Sequence, residues 1–107
     1  MDLIEALLNP GAWPEPTARV ELLQTHISWV FLTDNFAYKV KKPVDLGFLN
    51  FTTLRRRHHY LHEELTLNRR LCPEIYLDVL PIVTHYGKVE VGGRGHAVEY
   101  ALKMVRM

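Results

Sequence analysis

The chain has 107 residues, of which 48% are apolar and 23% are charged, and its formal net charge is +1. These values are typical of one globular domain with a modest core, and they argue against disorder and against attraction to nucleic acid or membranes through net charge. The single cysteine, Cys72, excludes an internal disulfide and fits a reducing compartment. The acidic N-terminus is unlike a signal peptide, and no apolar run approaches the roughly 20 residues of a membrane span. We therefore expect a cytoplasmic protein that does not enter membranes.

The N-terminal half predicts a short helix and then three strands. Asp2 can cap a helix that runs to Leu8, and the prolines after it predict a loop to Pro16. Runs of β-branched and aromatic residues predict strands at residues 20–24, 28–33 and 36–42. The Asp34-Asn35 pair favours a tight turn, so the second and third strands are expected to form a hairpin.

The C-terminal half predicts a loop, one long helix and further strands. The loop spans residues 45–51, and its apolar side chains are expected to be buried: Leu46, Phe48, Leu49 and Phe51. Thr52 or Thr53 can cap a helix that reaches about Leu71, where Pro73 ends it. Strands follow at residues 75–83, 89–91 and 97–105, and Pro81 requires an edge or a bulge in the first of them. The pattern predicts an α+β fold, with one antiparallel sheet of about five strands and one long packed helix, as a single domain over residues 1–107.

A lysine on the third strand and a glutamate on the long helix are the most informative pair. At about 100° per residue, Glu64 lies near the middle of an apolar arc of that helix, formed by Leu54, Tyr60, Leu61, Leu65, Leu67, Leu71 and Cys72. A carboxylate in an apolar stripe is costly unless a cation meets it, and Lys39 is the expected partner. Lys41 points to the same face of its strand as Lys39, and Glu63 is the neighbouring carboxylate, so both alternatives stay open.

These residues resemble a known family. Kinase-like phosphotransferases carry a strand lysine in an Ala-x-Lys pattern that contacts the ATP phosphates and pairs with a helix glutamate, and Ala37-Tyr38-Lys39 followed by Glu64 matches it. More closely, the chain resembles the N-terminal lobe of bacterial aminoglycoside-phosphotransferase-like proteins, which are often fused to a P-loop ATPase domain. The matching stretches are residues 25–32, 37–43, 46–49, 63–71 and 98–104.

The resemblance implies an ATP-binding lobe that ends at the hinge. Nucleotide-binding residues implied by it are Lys39 and Glu64, Thr25 and Ser28 in the loop over the phosphates, and Met104, Val105 and Arg106 in the hinge that binds adenine. The phosphate loop departs from the protein-kinase pattern because no glycine lies between Gly11 and Gly47. The base, the magnesium-binding residues and the acceptor site belong to a second lobe, so no catalytic or metal-binding residue is assigned here. The face that such a lobe would cover predicts self-association.

An alternative interpretation is a stand-alone module that binds protein or RNA without a nucleotide. The run Arg55-Arg56-Arg57, with the histidines that follow it, could form a basic patch, although a solvated helix face is the favoured interpretation and nucleic acid is not an expected partner. His58 and His62 have the i, i+4 spacing of some metal sites. The metalloprotease motif fails, however, because Thr66 stands where its second histidine should be, so no metal site is predicted.

Overall fold

The computed structural model describes residues 2–106 and contains one antiparallel sheet with helical segments on both faces. In chain order, the elements are helix α1 (Leu3–Leu7), a 3₁₀ turn (Pro10–Ala12), strands β1 (Glu21–Gln24), β2 (Ser28–Leu32) and β3 (Phe36–Lys41), helix α2 (Leu54–Leu71), and strands β4 (Tyr76–His85), β5 (Lys88–Val91) and β6 (His96–Val105). The strand order is β1-β2-β3-β6-β4-β5. The predicted α+β class is confirmed, although the sheet has six strands rather than about five.

The short strand predicted at residues 89–91 is β5, which joins the sheet through a tight hairpin with β4. His85 pairs with Lys88, which leaves a two-residue loop. Both loop residues have positive φ, 49° at Tyr86 and 78° at Gly87, as a type I′ turn requires. Pro81 is accommodated in β4 as predicted, because a register shift follows between Ile82 and Val83. The Pro81 carbonyl accepts from the Gly92 amide, on the side away from β6.

One face of the sheet is covered by the N-terminal segment. Trp13 is buried against Phe31 and Tyr38, and its indole N–H donates to the Leu7 carbonyl at 2.9 Å. The Tyr38 hydroxyl donates to Glu15 at 2.5 Å, and the Lys103 ammonium contacts the other oxygen of that carboxylate. The predicted proline-rich loop is therefore bonded to the sheet through Glu15 and forms part of the core.

Helix α2 covers part of the opposite face. Thr53 caps it by accepting from the Arg56 amide, and Leu61 and Leu65 pack on Val79 and Leu102 of β4 and β6. The predicted apolar arc is wrong at its C-terminal end, because Leu67 is 56% exposed and Leu71 is 81% exposed. The helix rests mainly on β4 and β6, so only a narrow stripe of its surface meets the sheet.

The loop before α2 differs from its prediction. Phe51 is buried as expected, but Leu46 is exposed and Phe48 is 84% exposed. An isolated bridge between Asp45 and Asn50 closes a tight turn around Gly47, whose φ is 85°. This turn carries Phe48 at its tip, away from the core. Across residues 2–106, the structure contains no helix with the length and apolarity needed to cross a membrane.

The packing of Trp13 predicts that the N-terminal segment is essential to stability. Trp13→Ala is expected to lower the free energy of unfolding by about 3–5 kcal/mol, because it empties a buried aromatic site and removes a buried hydrogen bond. Urea unfolding measures the loss. The control is Tyr86→Ala at a 95% exposed turn position, which should change stability by less than about 0.5 kcal/mol. A Trp13→Ala protein as stable as this control would contradict the prediction.

Candidate functional site

Lys39 and Lys41 reach the helix side of the sheet because β3 alternates its side chains. Tyr38 and Val40 are buried in the core beneath the N-terminal segment. The intervening lysines therefore point to the opposite face, toward α2. This is the alternation that the sequence predicted. It places two ammonium groups beside the helix residue that the apolar arc singled out, Glu64.

Glu64 binds both lysines, one at each carboxylate oxygen. Lys39 Nζ lies 2.7 Å from Glu64 Oε2, and Lys41 Nζ lies 3.2 Å from Glu64 Oε1. Glu63 instead faces His59 at 3.7 Å on an exposed part of the helix. Glu64, and not Glu63, is therefore the glutamate that pairs with the strand lysines. Both candidate lysines, Lys39 and Lys41, contact it.

The cluster is partly withdrawn from water and carries surplus positive charge. The exposed side-chain fractions are 29% for Lys39, 21% for Glu64 and 6% for Lys41. Burial raises the pKa of Glu64. The Lys39 ammonium and, to a smaller extent, the Lys41 ammonium lower it by more than burial raises it, so the pKa lies below its ordinary value. Two cations against one carboxylate leave a net charge of about +1 in this cluster at neutral pH.

An apolar strip lies beside this cluster on the same sheet face. The register pairs Leu23 with Val30, Val30 with Lys39, and Ala37 with both Leu32 and Met104. Paired residues share a face, so this apolar strip consists of Leu23, Val30, Leu32, Ala37 and Met104. Helix α2 packs mainly on β4 and β6, and Leu23 is 53% exposed. The strip is therefore a partly open apolar surface next to Lys39.

Thr25 and Ser28 form the turn between β1 and β2. The Thr25 hydroxyl accepts from the Ile27 and Ser28 amides at 3.3 and 3.0 Å, and Ser28 is buried opposite Lys41. The Ile27 and Ser28 N–H groups are thus directed at Thr25. The prediction that this loop contacts phosphates remains a prediction.

Met104, Val105 and Arg106 lie where the chain leaves β6. Met104 pairs with Ala37 and contributes to the apolar strip. The Val105 amide donates to the Ile75 carbonyl and the Arg106 amide to the Asn35 carbonyl, at 2.9 and 3.1 Å. These contacts tie the segment to the sheet, and its predicted role in binding adenine remains a prediction.

A buried ion pair between Arg57 and Glu99 was not predicted from the sequence. Arg57 Nε lies 3.1 Å from both Glu99 oxygens, and its Nη1 donates to the Phe51 carbonyl at 2.9 Å. The prediction of a solvated face is therefore wrong for Arg57, although Arg55 and Arg56 are exposed. Burial raises the pKa of Glu99, and the nearby guanidinium offsets only part of this effect. The sequence feature that could have indicated this ion pair is the position of Glu99 among the apolar residues of β6.

His58 and His62 meet on the surface of α2. Their Nε2 atoms are 3.0 Å apart, and the His58 ring stacks on Tyr100 at 3.6 Å between centroids. Burial and the neighbouring His62 lower the pKa of His58. Over residues 2–106, no three or more metal-ligating side chains gather into a group that could hold an ion.

Comparison with known proteins gives partial matches to uncharacterized proteins. No model of a known protein family matches the chain, and no solved structure matches it. A stretch of 60 residues is 35% identical to uncharacterized proteins of Mycobacterium tuberculosis, strain H37Rv, and of Mycobacterium bovis. The matched stretch makes up 56% of this chain. The same match covers only 12% of the length of these relatives.

The position of Glu64 predicts a specific dependence of stability on pH. The folded pKa is lowered, so the ion pairs stabilise the fold fully above the ordinary pKa of 4.5, and this contribution is lost as the pH falls through the folded pKa. Glu64→Gln should lower the free energy of unfolding at pH 7 by at least about 2 kcal/mol, because Lys41 then lacks a carboxylate partner.

Urea unfolding at several pH values tests this expectation. The difference between the native protein and Glu64→Gln should be constant above about pH 4.5 and should shrink in more acidic solution. Glu63→Gln is the matched control on the exposed side of the helix, where the change should be within about 0.5 kcal/mol. If the difference in unfolding free energy between the native protein and Glu64→Gln does not vary with pH, the charge of Glu64 does not supply the stability.

Proposed function

We propose that this domain binds ATP as the N-terminal lobe of a kinase-like small-molecule phosphotransferase, with Lys39 contacting the phosphates. The observation that carries the proposal is the Lys39–Glu64 ion pair, which joins the third strand to the long helix at 2.7 Å. A strand lysine held by a helix glutamate is the arrangement that kinases use for the α- and β-phosphates. Along the chain, the β2–β3 hairpin with Lys39 on β3 is followed by α2 with Glu64 and later by β6. This order agrees with the arrangement that the resemblance implies.

The surroundings of Lys39 fit both parts of a nucleotide. The two positive charges of Lys39 and Lys41 exceed the one negative charge of Glu64. A phosphate group bound here would neutralise this excess positive charge. The apolar strip beside Lys39 offers a surface on which a base can stack, since ligand sites combine apolar walls with a few placed charges. The cation and the apolar surface lie on one face of the sheet, where one ligand can contact both.

The proposal is limited to nucleotide binding. The resemblance implies that the catalytic base and the residues that bind magnesium come from a further lobe, so phosphoryl transfer is not proposed for these 107 residues alone. A cytoplasmic location, where ATP is available and Cys72 stays reduced, belongs to the same proposal. The alternative RNA-binding module relied on the Arg55-Arg56-Arg57 run, and the burial of Arg57 weakens that basic patch.

Removal of the Lys39 ammonium should weaken nucleotide binding. Isothermal titration calorimetry with Mg–ATP is expected to show binding by the native chain and at least about a tenfold loss in Lys39→Ala, because the charge-assisted phosphate contact is lost. Lys88→Ala, an exposed lysine on β5, is the matched control and should bind like the native chain. Absence of binding by the native chain and by a longer form of the protein would overturn the proposal.

The apolar strip also predicts self-association when nothing covers it. Sedimentation velocity should show dimers or larger species as the concentration rises, since contiguous exposed apolar surface favours association. Leu23→Thr should weaken the association by placing a polar group on the strip. Leu67→Ser, at a similarly exposed leucine on the outer side of α2, should not. A native chain that stays monomeric at high concentration would contradict this prediction.

A further inference from the structure

Glu64 has more cationic partners than its own neutralisation requires. One carboxylate receives two ammonium groups, at 2.7 Å from Lys39 and at 3.2 Å from Lys41. Since each lysine occupies a different oxygen, either one can move away and leave the carboxylate with one partner. The two lysines therefore need not have the same role.

The surroundings of the two lysines differ in a way that separates their roles. Lys41 is almost fully buried, and its Nζ lies 4.8 Å from the centroid of the Phe51 ring, where the ammonium gains a cation–π contact. Its partner across the strands, Ser28, is buried as well. Lys39 is 29% exposed and borders the open apolar strip. Only the Lys39 ammonium is placed to reach a ligand on that surface.

We propose that Lys41 is a positioning residue that holds Glu64 in place and so leaves Lys39 free to bind a phosphate group. This inference rests on the proposed function. When a phosphate shares the Lys39 ammonium with Glu64, two anions face one cation, and their negative charges repel each other strongly in a half-buried setting. Lys41 keeps a cation on Glu64 Oε1 throughout, which reduces that repulsion.

The charge balance supports the same division of roles. Lys39 and Glu64 alone would form a neutral pair with little attraction for an anion. With Lys41, the cluster is positive by about one charge before the ligand arrives and becomes less positive as the phosphate binds. The buried lysine therefore contributes to phosphate binding through Glu64 and through its charge, without touching the ligand.

The first experiment removes the Lys39 ammonium in the absence of nucleotide and asks what Lys41 alone does to Glu64. Carbon-13 NMR titration of the Glu64 carboxyl in Lys39→Met should give a pKa below that of the double variant Lys39→Met/Lys41→Met, because Lys41 still contacts the carboxylate. In the double variant Lys39→Met/Lys41→Met, the pKa should rise above the ordinary value through burial alone. A Glu64 pKa that is the same in the single and the double variant would overturn the role of Lys41.

The second experiment measures Mg–ATP and inorganic tripolyphosphate binding by calorimetry. Lys41→Met should weaken both ligands at least about tenfold although Lys39 is intact, and Lys41→Arg, which keeps the charge, should recover most of the affinity. Circular dichroism and urea unfolding confirm that each variant is folded. The matched control is Lys42→Met, the next lysine in the chain, which contacts Gln24 and not Glu64.

The results separate the two proposals. Binding lost in Lys39→Met and unchanged in Lys41→Met would overturn the positioning role and leave the proposed function standing. No binding of either ligand by the native protein or by a longer form would overturn the proposed function and, with it, the phosphate-binding part of this inference. In that case the NMR titration still decides whether Lys41 holds Glu64.

Discussion

The half-buried carboxylate of Glu64 is the constraint on which the relation between helix and sheet depends. A carboxylate between two packed elements is tolerated only with cationic partners, and Lys39 and Lys41 supply them from one strand. Because the partners sit on β3 while the apolar residues of α2 rest on β4 and β6, the pair extends the contact of the helix across the sheet. The rotation of α2 about its axis is thereby defined by polar contacts as well as by packing.

A second buried pair supports the same geometry. Arg57 lies two turns before Glu64 and bonds both Glu99 on β6 and the Phe51 carbonyl before the helix. A small apolar cluster that includes Leu61 and Leu65 packs beside these two charged contacts. Directional ion pairs beside a narrow apolar contact favour one orientation of the helix more strongly than non-directional burial would.

The two faces of the sheet are covered to different extents, and the face opposite α2 is covered by the N-terminal segment. The N-terminal segment covers that face through Trp13, and Glu15 bonds to Tyr38 and Lys103. The desolvation of Tyr38 and its bond to Glu15 raise the pKa of its hydroxyl, so it stays a donor. With one face covered by the N-terminal segment and the other covered by α2 mainly over β4 and β6, the surface of β1 to β3 beside Lys39 stays partly open.

Local patterns in the sequence determined the elements and the candidate pair. The alternation of β3 predicted the shared face of Lys39 and Lys41, and helical spacing predicted an inward-facing Glu64, since both depend only on fixed backbone periods. The long helix, the β2–β3 hairpin and the proline-tolerant β4 followed from equally local signals. Spacing alone left the choice between the lysines open, because it describes one element at a time.

Tertiary structure alone decided which charges are buried and which apolar residues are exposed. Arg57 looked like one of three solvated arginines until Glu99, distant in the chain, was placed beside it. Phe48 looked like core and lies on a turn tip. Burial depends on which elements pack together, a long-range property that no local pattern encodes. For the same reason, only the fold showed that Glu64 takes both lysines, one at each oxygen.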